Sequence, residues 1–290
     1  MDFRRSLWRY RTARSYLLSA LTWLLALLAC VPLFSVLYML LLRGGARLHW
    51  ELFTQLPPAA FDPGGGFGNA IVGTLVMVGI AALLSVPFGI LIAIFMAEIA
   101  ADSRLTRVAR FCAKTLTGLP SILAGVFAYA AVVLVTGTYS ALAGGVALSL
   151  LMLPTVILTA EEALRMVPPG MREAAVGMGC NPTQVVLKIV LPAAWSAVLT
   201  GVMLAVARAS GETAPLLFTA LFSDYWIRQN GEWAVMEPTA SLAVLIYNYS
   251  GMPFDNQIEL AWAASLVLVA MILSINLLSR LISARRRIPR

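Results

Sequence analysis

Two charged side chains set deep in an apolar run are the residues of this chain best suited to chemistry. Arg208 and Glu212 lie in the stretch Ala207-Arg208-Ala209-Ser210-Gly211-Glu212-Thr213-Ala214-Pro215. A charge at the centre of a bilayer costs about 2.5–3.5 kcal/mol on insertion scales, so each of the two needs a reason to be there. On a helix, residues four apart share a face, which brings the pair within reach. A guanidinium presents a planar fork suited to a tetrahedral oxyanion. The chemistry this predicts is an anion site or gate lined by Arg208, with Glu212 as its partner when the site is empty. Phosphate suits the pair better than sulfate. At neutral pH phosphate keeps at least one proton, which a carboxylate can accept in a hydrogen bond, whereas fully ionised sulfate meets only repulsion. Thr117 and Ser121, also four apart, could add hydroxyls to the same pathway, although hydroxyls in membrane helices commonly bond back to their own carbonyls. The plainer alternative for Arg208 and Glu212 is a structural ion pair.

A second group of residues is suited to contact. The segment Pro168-Pro169-Gly170-Met171-Arg172-Glu173-Ala174-Ala175-Val176-Gly177-Met178-Gly179-Cys180-Asn181-Pro182 continues through Lys188 to Ile189-Val190-Leu191-Pro192. The two prolines predict a helix start, and Glu173 falls in the early turns, where the helix dipole favours an anion. Gly179 is placed to stop that helix, and Asn181-Pro182 opens another. Ala174 and Ala175 leave a low-relief surface that another protein could approach closely.

Other chemistries find no residues. A phosphate-cradling loop needs Gly-Lys-Ser/Thr, but the only lysines, Lys114 and Lys188, follow Ala113 and Leu187. No His/Cys/Asp cluster has metal-ligand spacing, and the one histidine, His49, reads as a loop residue. Cys30, Cys112 and Cys180 do not suggest a disulfide framework. Neither a catalytic residue nor a metal site is expected.

The elements that must position these groups are membrane helices. Of the 290 residues, 60% are hydrophobic and 12% charged, with a mean hydropathy of +0.85. Soluble domains carry about 25% charge, so the bilayer has to act as a second solvent here. Six apolar stretches reach the length of a span, at roughly 16–42, 69–97, 115–136, 140–164, 189–222 and 259–282. Only Thr136-Gly137-Thr138-Tyr139 separates the third from the fourth, which predicts a tight helical hairpin. The fifth is longer than one span needs and predicts a re-entrant or tilted part. Prolines 32, 87, 120, 154, 192 and 215 recur within the spans and predict kinks or breaks, of the kind that line cavities in transporters. The first run is too long for a signal peptide and reads as an uncleaved anchor.

Basic residues give the orientation. Arginines 4, 5, 9, 11 and 14 precede the first run, Arg104, Arg107, Arg110 and Lys114 follow the second, Arg165, Arg172 and Lys188 follow the fourth, and Arg280, Arg285, Arg286, Arg287 and Arg290 close the chain. The alternate loops hold only Arg43, Arg47 and Arg228. The positive-inside rule therefore predicts an even number of spans with both termini in the cytoplasm. The two longer outside loops, 43–68 and 223–258, carry Pro57, Pro58, Pro63, Trp226 and Trp233 and read as ordered loops.

Glu173-Ala174-Ala175, then Gly179, then Ile189, Leu191 and Pro192, resemble the EAA loop of bacterial ABC importer permeases. The loop also sits ahead of the penultimate span, as it does in that family. The resemblance implies an all-α, polytopic type-I ABC importer permease fold of about six transmembrane helices, with a coupling helix that docks on a separate ATPase. The stretch from Arg208 to Pro215, with Thr117-Gly118-Leu119-Pro120-Ser121-Ile122, Ser241-Leu242-Ala243 and Ile246-Tyr247, resembles the A-type permeases of high-affinity phosphate importers.

That likeness runs over 69–282, with the coupling loop at about 168–192. It leaves a basic segment at 1–15, a first span and outside loop at 16–68, and a basic tail at 283–290. It implies a heterodimer with a second permease in the bacterial inner membrane, two cytoplasmic ATPases that carry ATP and magnesium, and an external phosphate-binding protein. No cofactor in this chain and no nucleic acid are implied. The alternatives are the partner-type permease of the same system, a related importer for another oxyanion or small solute, a lone secondary carrier or channel, and a membrane scaffold with no pathway.

Overall fold

The computed structural model describes residues 10–59, 61–229 and 231–285. The arginines at 4, 5, 9, 286, 287 and 290 lie outside the described residues. Among the described residues, five helices are long and apolar enough to cross a membrane, or six if one bent pair counts as a single span.

The first, α1 (Tyr10–Met39), runs on through a widened π turn at Leu40–Gly44. It buries almost nothing, and Leu24, Leu27 and Phe34 are among its exposed side chains. An apolar helix with no polar face is stable only in lipid or against another apolar surface. After the short α2 (Glu51–Thr54) comes α3 (Gly68–Ile94), extended by a π turn at Phe95–Ile99. It packs along α7 (Ala141–Arg165), and α7 packs in turn on α10 (Leu191–Ser210). Met77, Ala81, Leu148, Met152, Val156 and Ala205 form the centre of that three-helix core. The last helix, α13 (Asp255–Arg285), closes it from one side.

The third apolar stretch, 115–136, is broken at Pro120, one of the prolines expected to kink or break the spans. Helix α4 (Arg104–Thr117) ends before Gly118-Leu119-Pro120, and α5 (Ser121–Ala128) leaves at 106° to it. The π turn Tyr129–Val133 and α6 (Leu134–Thr136) complete that second limb. Pro120 cannot donate a backbone hydrogen bond and disfavours helix in the residue before it, so the break falls where the sequence has no means of bridging it. Leu105, Val108 and Phe111 of α4 are exposed beside its basic residues. Such a helix suits the membrane surface better than its interior.

The fifth stretch resolves into two parts. Helix α10 is led in by α9 (Pro182–Gln184) and a π turn at Val185–Val190. The ring and missing N–H of Pro192 disrupt helical bonding one turn back, which the widened turn absorbs. Beyond Ser210 the chain folds back as α11 (Ala214–Leu217), with Pro215, Leu216, Thr219 and Ala220 buried against α5 and α7. The excess length of the fifth stretch is thus taken up by a separate short helix after the end of α10.

The molecule has two distinct ends. One carries α8 (Pro169–Gly177) and the loop joining α3 to α4. The other is capped by α2, by α12 (Leu242–Ser250), and by a two-stranded antiparallel ribbon of β1 (Arg228–Gln229) and β2 (Glu232–Trp233). Leu52 and Phe67 are fully buried under that cap. Arg47 is paired with Glu259 at 2.5 Å, and Asn256 donates to the Asp62 carbonyl at 2.8 Å. Thr74 of α3 accepts from the Leu242 backbone at 2.9 Å. Burial and the Asp224 carboxylate push the Tyr249 phenol up to about 12, so it stays neutral in the cap.

Candidate functional site

Arg208 sits in the last turn of α10, and the helix ends at Ser210, between the two members of the predicted pair. Gly211 turns the chain, and Glu212 donates its backbone N–H to the Ala209 carbonyl at 3.2 Å. The pair still meets, but loosely: Arg208 Nε lies 3.5 Å from Glu212 Oε1, at the outer limit of a hydrogen bond. Arg208 is 46% exposed and Glu212 17%. Arg208 is twenty positions beyond Lys188, a helical rise of about 30 Å, so it lies at the end of α10 remote from α8. It is a cation at the end of an apolar helix, with most of its donors unused.

Thr117 and Ser121 do not share a helix face, because the 106° bend falls between them. Thr117 closes α4 and donates to the Lys114 carbonyl at 2.6 Å. Ser121 opens α5, and one turn later Gly125 rests on the backbone of Pro215, where a Cβ would come within 2.7 Å. Only a glycine permits that approach. Ser121 is therefore brought toward the segment that follows Glu212, whereas Thr117 is not.

The other predicted group forms α8 and its surroundings. Pro168 is the N-cap, Pro169 the first helical residue, and Gly179 has φ +87. Gly179 N–H donates to the Val176 carbonyl at 2.9 Å, and Cys180 N–H to that of Ala175 at 3.0 Å. That is a Schellman stop, with Cys180 packed near Ala175. The Asn181 side chain and Gln184 then cap each other reciprocally at 2.8 and 3.0 Å.

The alanine pair divides. Ala175 is 1% exposed and faces the inner cluster with Val185, Val190, Ile189 and Leu191, while Glu173 and Ala174 face outward. The outer surface is less smooth than two alanines predict, because Met171, Val176 and Met178 are exposed there as well. Pro192 is exposed at the start of α10.

The most tightly built feature at this end lies outside the predicted set. Glu98, at the end of α3, accepts from Arg172 of α8 twice, at 2.7 and 3.1 Å. Arg172 also donates to the Leu164 carbonyl at 2.9 Å and to that of Val167. Hydrogen bonding to Glu98 raises the Arg172 guanidinium above its already high ordinary value, against the opposing pull of burial. Glu161 of α7, 4% exposed, accepts from Arg110 of α4 at 2.6 and 3.1 Å and pairs with Arg165 at 3.0 Å. Two nearly dry carboxylates thus fasten α3 to α8 and α4 to α7. The sequence did carry a signal: each glutamate ends a long apolar run and is costly there without a partner.

A bundle of membrane helices with a short exposed helix clamped across its base, and a loosely held cation at the far end of the next span, defines a transport permease. The chain belongs to the family of binding-protein-dependent transport system inner membrane components, whose pattern matches residues 86–288. Among its relatives, the phosphate transport system permease protein PstA of Haemophilus influenzae is 38% identical over 94% of each chain. That of Yersinia pestis is 35% identical over 99% of this chain and 96% of its own. A probable counterpart in Methanocaldococcus jannaschii is 33% identical over 87% of each.

The fold is that of solved ABC transporter permeases. A chain of a bacterial alginate ABC transporter, crystallised with a pentasaccharide-bound periplasmic protein, superposes with TM-score 0.63 at 16% identity, covering 97% of this chain and 98% of that one. A chain of the MetNI methionine ABC transporter superposes with TM-score 0.57 at 20% identity, over 76% and 94%.

Proposed function

We propose that this chain is the permease subunit of an ATP-driven importer of inorganic phosphate. It pairs with a second permease in the inner membrane, has both termini in the cytoplasm, and receives phosphate from an external binding protein. ATP and magnesium are handled by two separate cytoplasmic ATPases that contact α8 through Glu173, Ala174 and the exposed Met171, Val176 and Met178. Gly179 ends α8, Ala175, Ile189 and Leu191 seat it against the start of α10, and Pro192 sets the turn that leads into that helix. ATPase closure pulls α8, and the rigid joints to α3 and α7 turn that pull into rocking of the spans around Arg208.

The observation that carries the reading is the Arg208–Glu212 pair. A guanidinium with one marginal contact keeps its remaining donors for an incoming oxyanion, and Glu212 can accept a hydrogen bond from the hydroxyl that hydrogen phosphate retains. The full-length likeness to phosphate permeases supports the same substrate. Ser121 is the neighbouring hydroxyl, and Thr117 stands further off.

The deciding test is phosphate uptake by the whole complex carrying Arg208→Gln at matched expression. The expected result is collapse of uptake while the ATPase subunits still co-purify. Uptake at the wild-type rate would make the pair structural and remove it from the pathway. Glu212→Gln is expected to weaken discrimination of phosphate from sulfate.

A further inference from the structure

Toward α8 from Arg208, α10 does not close fully on its neighbours. A cleft of about 690 Å3 lies between α7, α10 and α13, lined among others by Ala207, Thr200, Ser196, Asn276, Ser279 and Arg280. Ala207 adjoins Arg208, and from there to Ser196 is a helical rise of about 16 Å. Helix α13 starts in the cap, where Leu260 and Ala264 pack with Phe67, and reaches the α7–α10 core by Ile275. Arg280 lies further along, at the cleft's α8 end. Arg208 and Arg280 therefore stand at opposite ends of one furrow.

The chemistry of the lining is selective. No carboxylate lines the cleft. Among the described residues, Arg280 makes no ion pair or hydrogen bond. An ammonium or zwitterion would find no counter-charge there, whereas the exposed guanidinium of Arg280 is open to an incoming anion. Asn276 donates its amide N–H to the Ile272 carbonyl at 3.0 Å, which leaves its side-chain oxygen free to accept. Thr200 gives its proton to the Ser196 carbonyl at 2.8 Å and keeps its lone pairs. One fork of donors beside two acceptors matches an anion that still carries a hydroxyl.

We propose that this cleft is a second oxyanion station on the inward half of the pathway, where Arg280 binds hydrogen phosphate and the Asn276 side-chain oxygen accepts a hydrogen bond from its hydroxyl. The inference rests on the phosphate-permease reading and gives that pathway a release step. The phosphate group of an anionic lipid has related chemistry and could reach the same guanidinium, so the test separates the two sources.

The test uses the whole complex with its partner permease, ATPases and binding protein, reconstituted in vesicles. Arg280→Gln is expected to lower radiolabelled phosphate uptake by about tenfold, the scale of one lost charged hydrogen bond, with subunit stoichiometry intact and ATP hydrolysis continuing. Less phosphate then enters per ATP. Arg280→Lys is expected to recover most of the rate, and Thr200→Leu, which narrows the cleft with the charge retained, to uncouple in the same way. Wild type is expected to keep its uptake in vesicles of phosphatidylcholine alone. Undiminished uptake by Arg280→Gln would overturn the station. Loss of the partner permease on purification would also overturn it, by making the cleft a subunit interface. If wild type fails in phosphatidylcholine as the variant fails in mixed lipid, the guanidinium serves a lipid. A wild-type complex that carries no phosphate would instead remove the reading beneath the inference, so the two failures are distinguishable.

Discussion

At the α8 end of the molecule, two nearly dry carboxylates are gripped by three guanidinia through contacts of 2.6 to 3.1 Å. At the far end of α10, one guanidinium holds one carboxylate at 3.5 Å, and half of the cation faces outward. The same two side-chain types do opposite work. A buried, multiply bonded pair resists displacement because separating it strands a charge in a dry site. An exposed pair with one long contact is worth little and is readily exchanged for another anion. On the proposed function, force passes through the first kind of contact and phosphate displaces the second.

The sharpest way to break this contrast is Arg172→Ala, which leaves the Glu98 carboxylate buried and alone. Stranding a buried charge costs about 3–5 kcal/mol, so thermal unfolding of the purified protein is expected to fall markedly. An unfolding temperature unchanged from wild type would mean that Glu98 reaches water and the joint is not rigid. A smaller effect is expected at Gly179, whose left-handed φ is strained for any side chain. Gly179→Ala is expected to cost about 1 kcal/mol in the same measurement. Asn181→Ala removes one half of a reciprocal cap, and the loss is expected to lie near or below about 1 kcal/mol. Smallest of all on stability is Arg208→Gln, expected within about 0.5 kcal/mol of wild type even as uptake collapses. A large loss of stability there would erase the distinction between the two ends.

How much of this the sequence disclosed depends on how local each feature is. The turn at Gly179, the capping pair of Asn181 and Gln184, and the meeting of Arg208 with Glu212 each depend on residues at most four or five apart. All are readable from spacing and turn chemistry. The excess length of the fifth stretch likewise announced α11. The cross-helix joints at Glu98 and Glu161 were not readable, because Arg172 and Arg110 lie 74 and 51 positions away; only the pairing of Glu161 with Arg165 is local. Glutamates at the ends of apolar runs mark a need for a partner without saying which distant arginine meets it. A break at Pro120 was legible, but its size, and the separation of Thr117 from Ser121 that it causes, were not. Hydropathy summed across Gly118 and Pro120 merges the end of a surface helix with the start of a span, although both residues are breakers. Nor does spacing say which of two adjacent alanines turns inward, since that depends on the cluster built by Val185 and Val190.

The bend has a consequence for the surrounding lipid. The limb from Ser121 to Thr136 has sixteen residues and rises about 24 Å, whereas the hydrocarbon layer is about 30 Å thick. Val126, Phe127, Leu134 and Val135 are exposed along it. Where that flank meets acyl chains, the bilayer must pinch inward by several ångströms to keep the polar ends of the limb wetted. Because Gly125 of this limb bears directly on Pro215, membrane thickness acts as a load on the segment just after Glu212. Vesicles of longer-chain lipids would press on that segment with no change in any side chain.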